Sequence, residues 1–308
     1  MKISGRQLAN RYLTAILRNI PYPVTHAIRH FDPVGGGGPN RLVVLCDSRR
    51  FLEGCWSLWS WHRHIHALVS PMLLVDGAVQ PQNQRFFRRL FPTGTLLDLA
   101  ELLSAHTLPR GLDAFVNTNW TGRKLAALHI LQLGHSVLYA DCDVVAFRDP
   151  NRIISLIASN SCPAYMDDPA GYALDPWLGE RAGELGISIT PHFNAGFMWL
   201  PRGTLPAGFI EELLHSWKPA DNTHHSEQTA CSILLSARGA VPLPRDEYVL
   251  SWTGVWAWER DIPCESMIAR HYTGPTRHRM YLTAYPWLFR DNSCSRWHQP
   301  KHPEAPCN

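Results

Sequence analysis

Short apolar runs, each stopped by an acid, a glycine or a proline, alternate along the chain with stretches of helical spacing. Leu42 to Cys46 forms the first strong strand and Met72 to Val75 a second, closed by the Asp76-Gly77 turn. Phe115 and Val116 begin a third. Thr121 to Gln132 then takes helical spacing, with Leu125, Leu128 and Leu131 on one side and Gly134 ending it. The next apolar run, Val137 to Ala140, passes directly into Asp141-Cys142-Asp143 and Val144-Val145, and Asp149-Pro150 closes the unit. Leu8, Leu13, Ile16, Leu17 and Ile20 space out an amphipathic N-terminal helix ended by Pro21.

Strands separated by helices predict an α/β domain with a mostly parallel central sheet flanked by helices, Rossmann-like and three-layered. Residues 41–284 make this domain. Residues 1–40 supply the N-terminal helix and a loop of four glycines, Gly35 to Gly38, which lacks the Lys-Ser or Lys-Thr pair of a P-loop. Residues 285–308 form a polar tail. Met166 to Ile189, rich in Asp, Gly and Pro, includes loops over the sheet edge. Phe193 to Leu200 returns as a strand whose Ala195-Gly196 step allows close approach. A helical turn at Glu211 to Trp217 and a helix at Gln228 to Leu235 follow. Ligands of such sheets bind outside the carboxyl ends of the strands, which is where Asp141-Cys142-Asp143 falls.

A chain of 308 residues with 45% hydrophobic positions can bury a sizeable core. The net charge of +3, without a basic tail, argues against a nucleic-acid partner. Eight cysteines lack zinc-knuckle spacing. Cys46 and Cys142 sit in strands as small apolar groups, while the others read equally as reduced thiols or as a few bridges, Cys294 with Cys307 among the options. No apolar run is long enough for a transmembrane segment, and no secretory signal is evident. The expected location is cytoplasmic, or the lumen of the secretory pathway if a signal or anchor lies outside these residues.

Two acids at a strand exit, joined by a third ligand from afar, suit Mg²⁺ or Mn²⁺ and through it a diphosphate. Taken one at a time, these residues have plainer readings. Asp-x-Asp is also an ordinary acidic turn, His271 an ordinary polar residue, Asn194 a turn cap and Glu227 a helix N-terminal charge. Arg123 and Lys124 also read as a solvated helix face. Trp252, Trp256 and Trp258 read as packing or as a platform for a sugar.

Their order along the chain changes the picture. Val137-Leu138-Tyr139-Ala140-Asp141-Cys142-Asp143-Val144-Val145, followed by Arg148-Asp149-Pro150, resembles the metal motif of retaining GT-A glycosyltransferases related to plant cell-wall xylosyl, arabinosyl and galactosyl enzymes and, more distantly, to glycogenin. Phe193-Asn194-Ala195-Gly196-Phe197-Met198, Glu227-Gln228 and His271-Tyr272-Thr273-Gly274-Pro275-Thr276-Arg277 are similar to that family's later elements, with Arg277 where its members carry lysine. The resemblance spans Asn117 to Arg277, and Leu42 to Asp47 is a weaker match.

The resemblance implies a metal-dependent transferase with a nucleoside-diphosphate sugar donor, UDP-linked, and a glycan or glycoprotein hydroxyl as acceptor. Asp141, Asp143 and His271 would hold Mn²⁺ or Mg²⁺. Asp141 would also meet the ribose, and Asp47 would seat the base or ribose. Arg277 with Gly274, and Arg123 with Lys124, would contact phosphate or sugar. Asn194 and Gln228 would hold the transferred sugar, and Glu227 would orient its hydroxyls or act as a nucleophile. Two other classes fit parts of this pattern: a metal-dependent phosphohydrolase, and a non-catalytic carbohydrate-binding protein using the tryptophans.

Overall fold

The computed structural model describes residues 5–19, 24–190, 192–217, 225–253 and 259–295. Helix α1 (Gly5–Asn19) and a 3-10 segment (Val24–His30) lead into β1 (Asn40–Asp47). There follow α2 (Phe51–Ile65), β2 (Val69–Asp76), α3 (Pro81–Leu90), β3 (Thr95–Asp98), α4 (Leu99–Ser104), α5 (Arg110–Thr118), α6 (Gly122–Gln132) and β4 (Val137–Asp141). The short β5 (Val144–Ala146) precedes α7 (Asn151–Ser159), β6 (Ala164–Asp167), α8 (Pro176–Glu184), β7 (Phe193–Leu200), α9 (Ala207–Leu214) and α10 (Ser226–Ser236). The chain then forms β8 (Val241–Pro242), β9 (Tyr248–Leu250), β10 (Ala269–His271) and α11 (Tyr285–Ser295).

Seven strands form one sheet in the order β3-β2-β1-β4-β7-β6-β8. β3, β2, β1 and β4 are parallel, β7 runs antiparallel to both β4 and β6, and β8 is parallel to β6. The fold is a single α/β domain with a mixed, mostly parallel sheet between helical layers. Alternation along β1 shows why its apolar run is continuous: Leu42, Val44 and Cys46 enter the core shared with α2 and α3, whereas Val43 enters the core shared with α6 and α10. The core continues past residue 284 into α11, where the buried Tyr285 ring stacks on Trp56 at 4.6 Å.

Phe115 and Val116 are not a strand. They lie in α5, where Leu112 and Phe115 are buried one turn apart, and the outer parallel strand is Thr95–Asp98. A two-residue apolar pair carries no periodicity to separate strand from helix. Between loops, Met166 to Ile189 also contains α8, started by Asp175, whose carboxylate accepts the Leu178 N–H at 3.1 Å. Ile20, Pro21, Trp256, Trp258 and Cys307 lie outside the described residues, whereas Cys46, Cys55, Cys142, Cys162, Cys231 and Cys264 are free thiols.

A second, three-stranded sheet, β5-β10-β9, stands beside the first. β10 is antiparallel to β5, with His271 opposite Val144, and parallel to β9. This small sheet turns the residues after β4 toward the late part of the chain.

The glycine loop is not uniformly loose. A Cβ on Gly38 would overlap the Leu68 carbonyl, and the Ser70 hydroxyl donates to the Gly38 carbonyl at 2.8 Å, whereas a Cβ on Gly35 meets nothing within 4 Å. Gly38→Ala is therefore expected to destabilise the fold by about 1–3 kcal/mol. Gly35→Ala should stay within about 0.5 kcal/mol of the parent. Denaturant unfolding midpoints of the two variants check this, and equal midpoints would contradict it.

Candidate metal and donor site

β4 ends on Asp141, the chain turns through Cys142 and Asp143, and β5 begins at Val144. Helix α2 grips this turn from behind. The Ser57 hydroxyl reaches the Val144 carbonyl at 2.7 Å and the Asp141 carbonyl at 3.1 Å, and the Trp61 indole N–H donates to Val144 at 3.3 Å. Ser60 Oγ accepts the Ala146 N–H at 3.0 Å. On the other side, the Tyr272 N–H donates to the Asp143 carbonyl at 2.8 Å and carries His271 to the acids.

Each carboxylate divides its two oxygens between the protein and a common point. Asp143 Oδ2 accepts from Arg277 Nε at 3.0 Å and Nη2 at 2.5 Å, with Arg50 Nη2 at 3.5 Å, while Oδ1 lies 3.3 Å from His271 Nε2. Asp141 Oδ1 accepts from the Tyr139 hydroxyl and has Lys124 Nζ at 3.9 Å, while Oδ2 lies 3.9 Å from His271 Nε2. One ligand atom from each of Asp141, Asp143 and His271 lies within 4.8 Å of the other two.

His271 is oriented by Asn194. The side-chain oxygen of Asn194 accepts the Gly196 N–H at 2.9 Å, and the same oxygen lies 3.0 Å from His271 Nδ1. Because that atom is an acceptor, Nδ1 is the donor, and in the neutral ring Nε2 presents its lone pair to the two acids. A hydrogen bond of this kind behind a ligating imidazole fixes tautomer and angle. Gly196 completes the arrangement, since a Cβ there would overlap the imidazole. Sequence reading found the close approach at Gly196, but not that a side chain would fill it.

The remaining expected residues separate into two groups. Lys124, from α6, lies 3.1 Å from Glu227 Oε2, donates to the Ala195 carbonyl at 3.2 Å and sits over the Tyr139 ring. Burial alone would lower the Lys124 pKa, but Asp141 and Glu227 more than reverse that and hold it above its ordinary value. Burial raises the Glu227 carboxyl and Lys124 only partly offsets this. The two shifts pull the pair in opposite senses; the contact geometry and the added charge of Asp141 favour a charged Lys124. Glu227 Oε1 accepts from the Cys231 thiol at 3.3 Å, so both its oxygens are engaged. Gln228 donates to the Phe193 carbonyl at 2.8 Å.

Farther along the sheet end, Arg123 Nη1 lies 2.7 Å from both oxygens of Asp76, and Asp47 caps the turn at Ser48–Arg50 by accepting the Arg49 N–H at 2.9 Å. Asp47 and Asp76 face each other in register at the ends of β1 and β2. Gly274 opens the 3-10 turn before Arg277 and is exposed. Sequence reading missed Arg50, Tyr139 and Ser57. The Arg49-Arg50 pair directly after a strand was the available signal for the first.

The donor set of two carboxylate oxygens and one imidazole nitrogen fits a divalent cation such as Mn²⁺ or Mg²⁺, and the oxygens facing His271 are those the protein leaves uncommitted. Burial pushes the Asp143 carboxyl up, yet the guanidinium groups of Arg277 and Arg50 hold it well below the usual carboxylate range. It is thus ionised and ready to ligate at neutral pH.

No family model matches the chain, and no curated protein does. Among solved structures it is similar to the galactosyltransferase LgtC in complex with donor and acceptor sugar analogues (TM-score 0.55, 15% identity, 85% of this chain and 98% of that one). It is also similar to mouse xyloside xylosyltransferase 1 (TM-score 0.51, 13% identity, 79% and 99%) and to the bifunctional glycosyltransferase WbbM (TM-score 0.52, 16% identity, 85% and 52%). These likenesses show a shared fold of the GT-A kind across glycosyltransferases of several sorts; they do not single out the plant cell-wall enzymes.

Two outcomes follow from this geometry. Asn194→Ala and Gly196→Ala should each weaken Mn²⁺ binding by about 10–100-fold, read by calorimetry on folded protein, because both release the imidazole. Unchanged affinity in both would mean that His271 is not a ligand. For Asp143, whose native pKa is depressed, the linked stability is present above the unfolded carboxylate value of about 3.9 and is lost as pH falls through the native one. The stability gap between the parent and Arg277→Gln should therefore be widest above about pH 4 and close on acidification. A gap constant with pH would show that Arg277 does not act through this carboxylate.

Proposed function

We propose that this protein is a metal-dependent glycosyltransferase that moves a sugar from a nucleoside-diphosphate donor, UDP-linked, to a glycan or glycoprotein hydroxyl with retention of configuration. The observation that carries the reading is the convergence of Asp141, Asp143 and His271 at the carboxyl end of β4. Strand ends of open α/β sheets are where such ligands bind.

Asp141, Asp143 and His271 would hold Mn²⁺ or Mg²⁺, which when bound supplies charge neutralisation for the departing diphosphate. Arg277, already within 2.5 Å of Asp143, brings a second positive charge to the same point. Fixed charges aimed at developing negative charge stabilise a transition state without reorganising when it forms. Enzymatic acceleration requires about 8–23 kcal/mol, more than these contacts supply singly, so positioning of donor and acceptor shares the task. Asn194, Gln228 and Arg123 are the residues assigned to the donor, with Asp47 at its nucleoside end.

Glu227 is assigned to positioning and not to nucleophilic attack. Its oxygens are taken by Lys124 and Cys231, and a nucleophile needs a carboxylate oxygen directed at the anomeric carbon. In the same-face route, the acceptor hydroxyl bonds to the anomeric carbon as the bond to the diphosphate breaks, and the leaving diphosphate takes the hydroxyl proton.

His271→Ala and Asp143→Asn should each reduce metal-supported sugar transfer by at least about 100-fold, the scale of losing one charge-stabilising group. The assay is nucleotide release from UDP-xylose, UDP-galactose, UDP-glucose, UDP-arabinose and GDP-sugars over a panel of acceptors, with and without Mn²⁺. Transfer that survives chelation, or nucleotide release as fast without acceptor as with it, would overturn the reading; the second result would favour a phosphohydrolase. The anomer formed first, followed by NMR, tests retention.

A further inference from the structure

We propose that α1 is a docking surface for an anionic lipid surface. Residues 1–31 contain Lys2, Arg6, Arg11, Arg18 and Arg29 and no acidic residue, while the whole chain has 29 basic and 26 acidic residues, so the remainder is net acidic. The net positive charge of the protein therefore comes from the stretch of sequence that contains α1.

That helix is packed in an unusual sense. A surface helix ordinarily turns its apolar stripe to the core and its polar residues to water. In α1 the polar Asn10 and Thr14 are buried, while Ala9, Tyr12 and Ile16, one face at spacings of three and four, point outward. Tyr12 is 64% and Ile16 59% exposed. Leu13 and Leu17 lie at the boundary, Leu17 against the core. An aromatic and an aliphatic side chain displayed on a helix with no acid is the pattern of an interfacial helix, whose apolar face enters the headgroup boundary while basic residues meet anionic lipid. Charge complementarity selects this occupant over a neutral apolar groove.

The position of α1 gives the docking a consequence. The helix packs on the Gly274–Thr276 turn, which leads directly to Arg277 and its contact with Asp143. Membrane contact would hold that turn about one helix diameter, ~10–12 Å, from the lipid. Acceptors carried on a membrane would then meet the acid–histidine cluster from its α1 side, a consequence that rests on the transferase reading.

The test is co-sedimentation of the full chain with phosphatidylcholine vesicles, with and without phosphatidylglycerol, which requires no sugar donor and stands or falls apart from the transferase reading. Binding is expected only with phosphatidylglycerol, and high salt should abolish it. It should fall about fivefold for each of Arg11→Gln and Arg18→Gln, and roughly tenfold for the double variant Tyr12→Ser/Ile16→Ser with its unfolding midpoint unchanged. Equal binding to both vesicle types, or none, overturns the proposal. So does a dimer in solution that the Tyr12→Ser/Ile16→Ser variant dissociates, which would assign the face to a second copy of the chain.

Discussion

A single antiparallel ladder, β5 against β10, makes the site. Asp143 and His271 are far apart in sequence, and the pairing of Val144 with His271 sets them 3.3 Å apart through side chains. Everything else around the cluster serves that ladder or depends on it. Ser57, Ser60 and Trp61 of α2 satisfy the backbone groups of the segment that carries the acids, and Gly196 leaves the space into which the imidazole settles. Buried backbone polar groups need partners, and in this irregular stretch between two sheets α2 and the Tyr272 N–H supply them.

The electrostatics are arranged around the same point. Three carboxylates, Asp141, Asp143 and Glu227, face Lys124, Arg50 and Arg277 at short range, and removing one member of such a buried pair costs about 3–5 kcal/mol by stranding the other. The cations do more than balance charge. Arg50 and Arg277 engage Oδ2 of Asp143, and Tyr139 with Lys124 attends Oδ1 of Asp141, which leaves one oxygen of each aspartate directed at His271 in an arrangement that fits a divalent cation. An arrangement of this sort is what permits fixed dipoles and charges to act on a leaving group in a partly dry site.

The fold by itself would support many chemistries, and its likeness to several glycosyltransferases at 13–16% identity is a likeness of architecture. The functional reading comes from the acids and the imidazole at one strand end and the arginine beside them. Glu227 illustrates the distinction. Its place beside Gln228 invites a role against the sugar, and its contacts with Lys124 and Cys231 tie the same carboxylate to the cation beside Asp141.

Three strands of the parallel half, β1, β2 and β4, are legible from residue order, because strands buried on both faces are continuous apolar runs, and so are the two acids at the exit of Val137–Asp141. The short pair Phe115-Val116 was misread for want of a period, and the β3 strand Thr95–Asp98 was passed over because all four of its residues are only half-buried. His271, Asn194 and Gly196 were visible as residue types in a familiar order, but not as a chain of contacts. Local spacing governs which face of an element a side chain occupies; it carries no information about which distant element crosses that face. The hydrogen bond from His271 to Asn194, the grip of Arg50 and Arg277 on one oxygen of Asp143, and the burial of Asn10 beneath an outward-facing Tyr12 are all decided by how the layers close on one another.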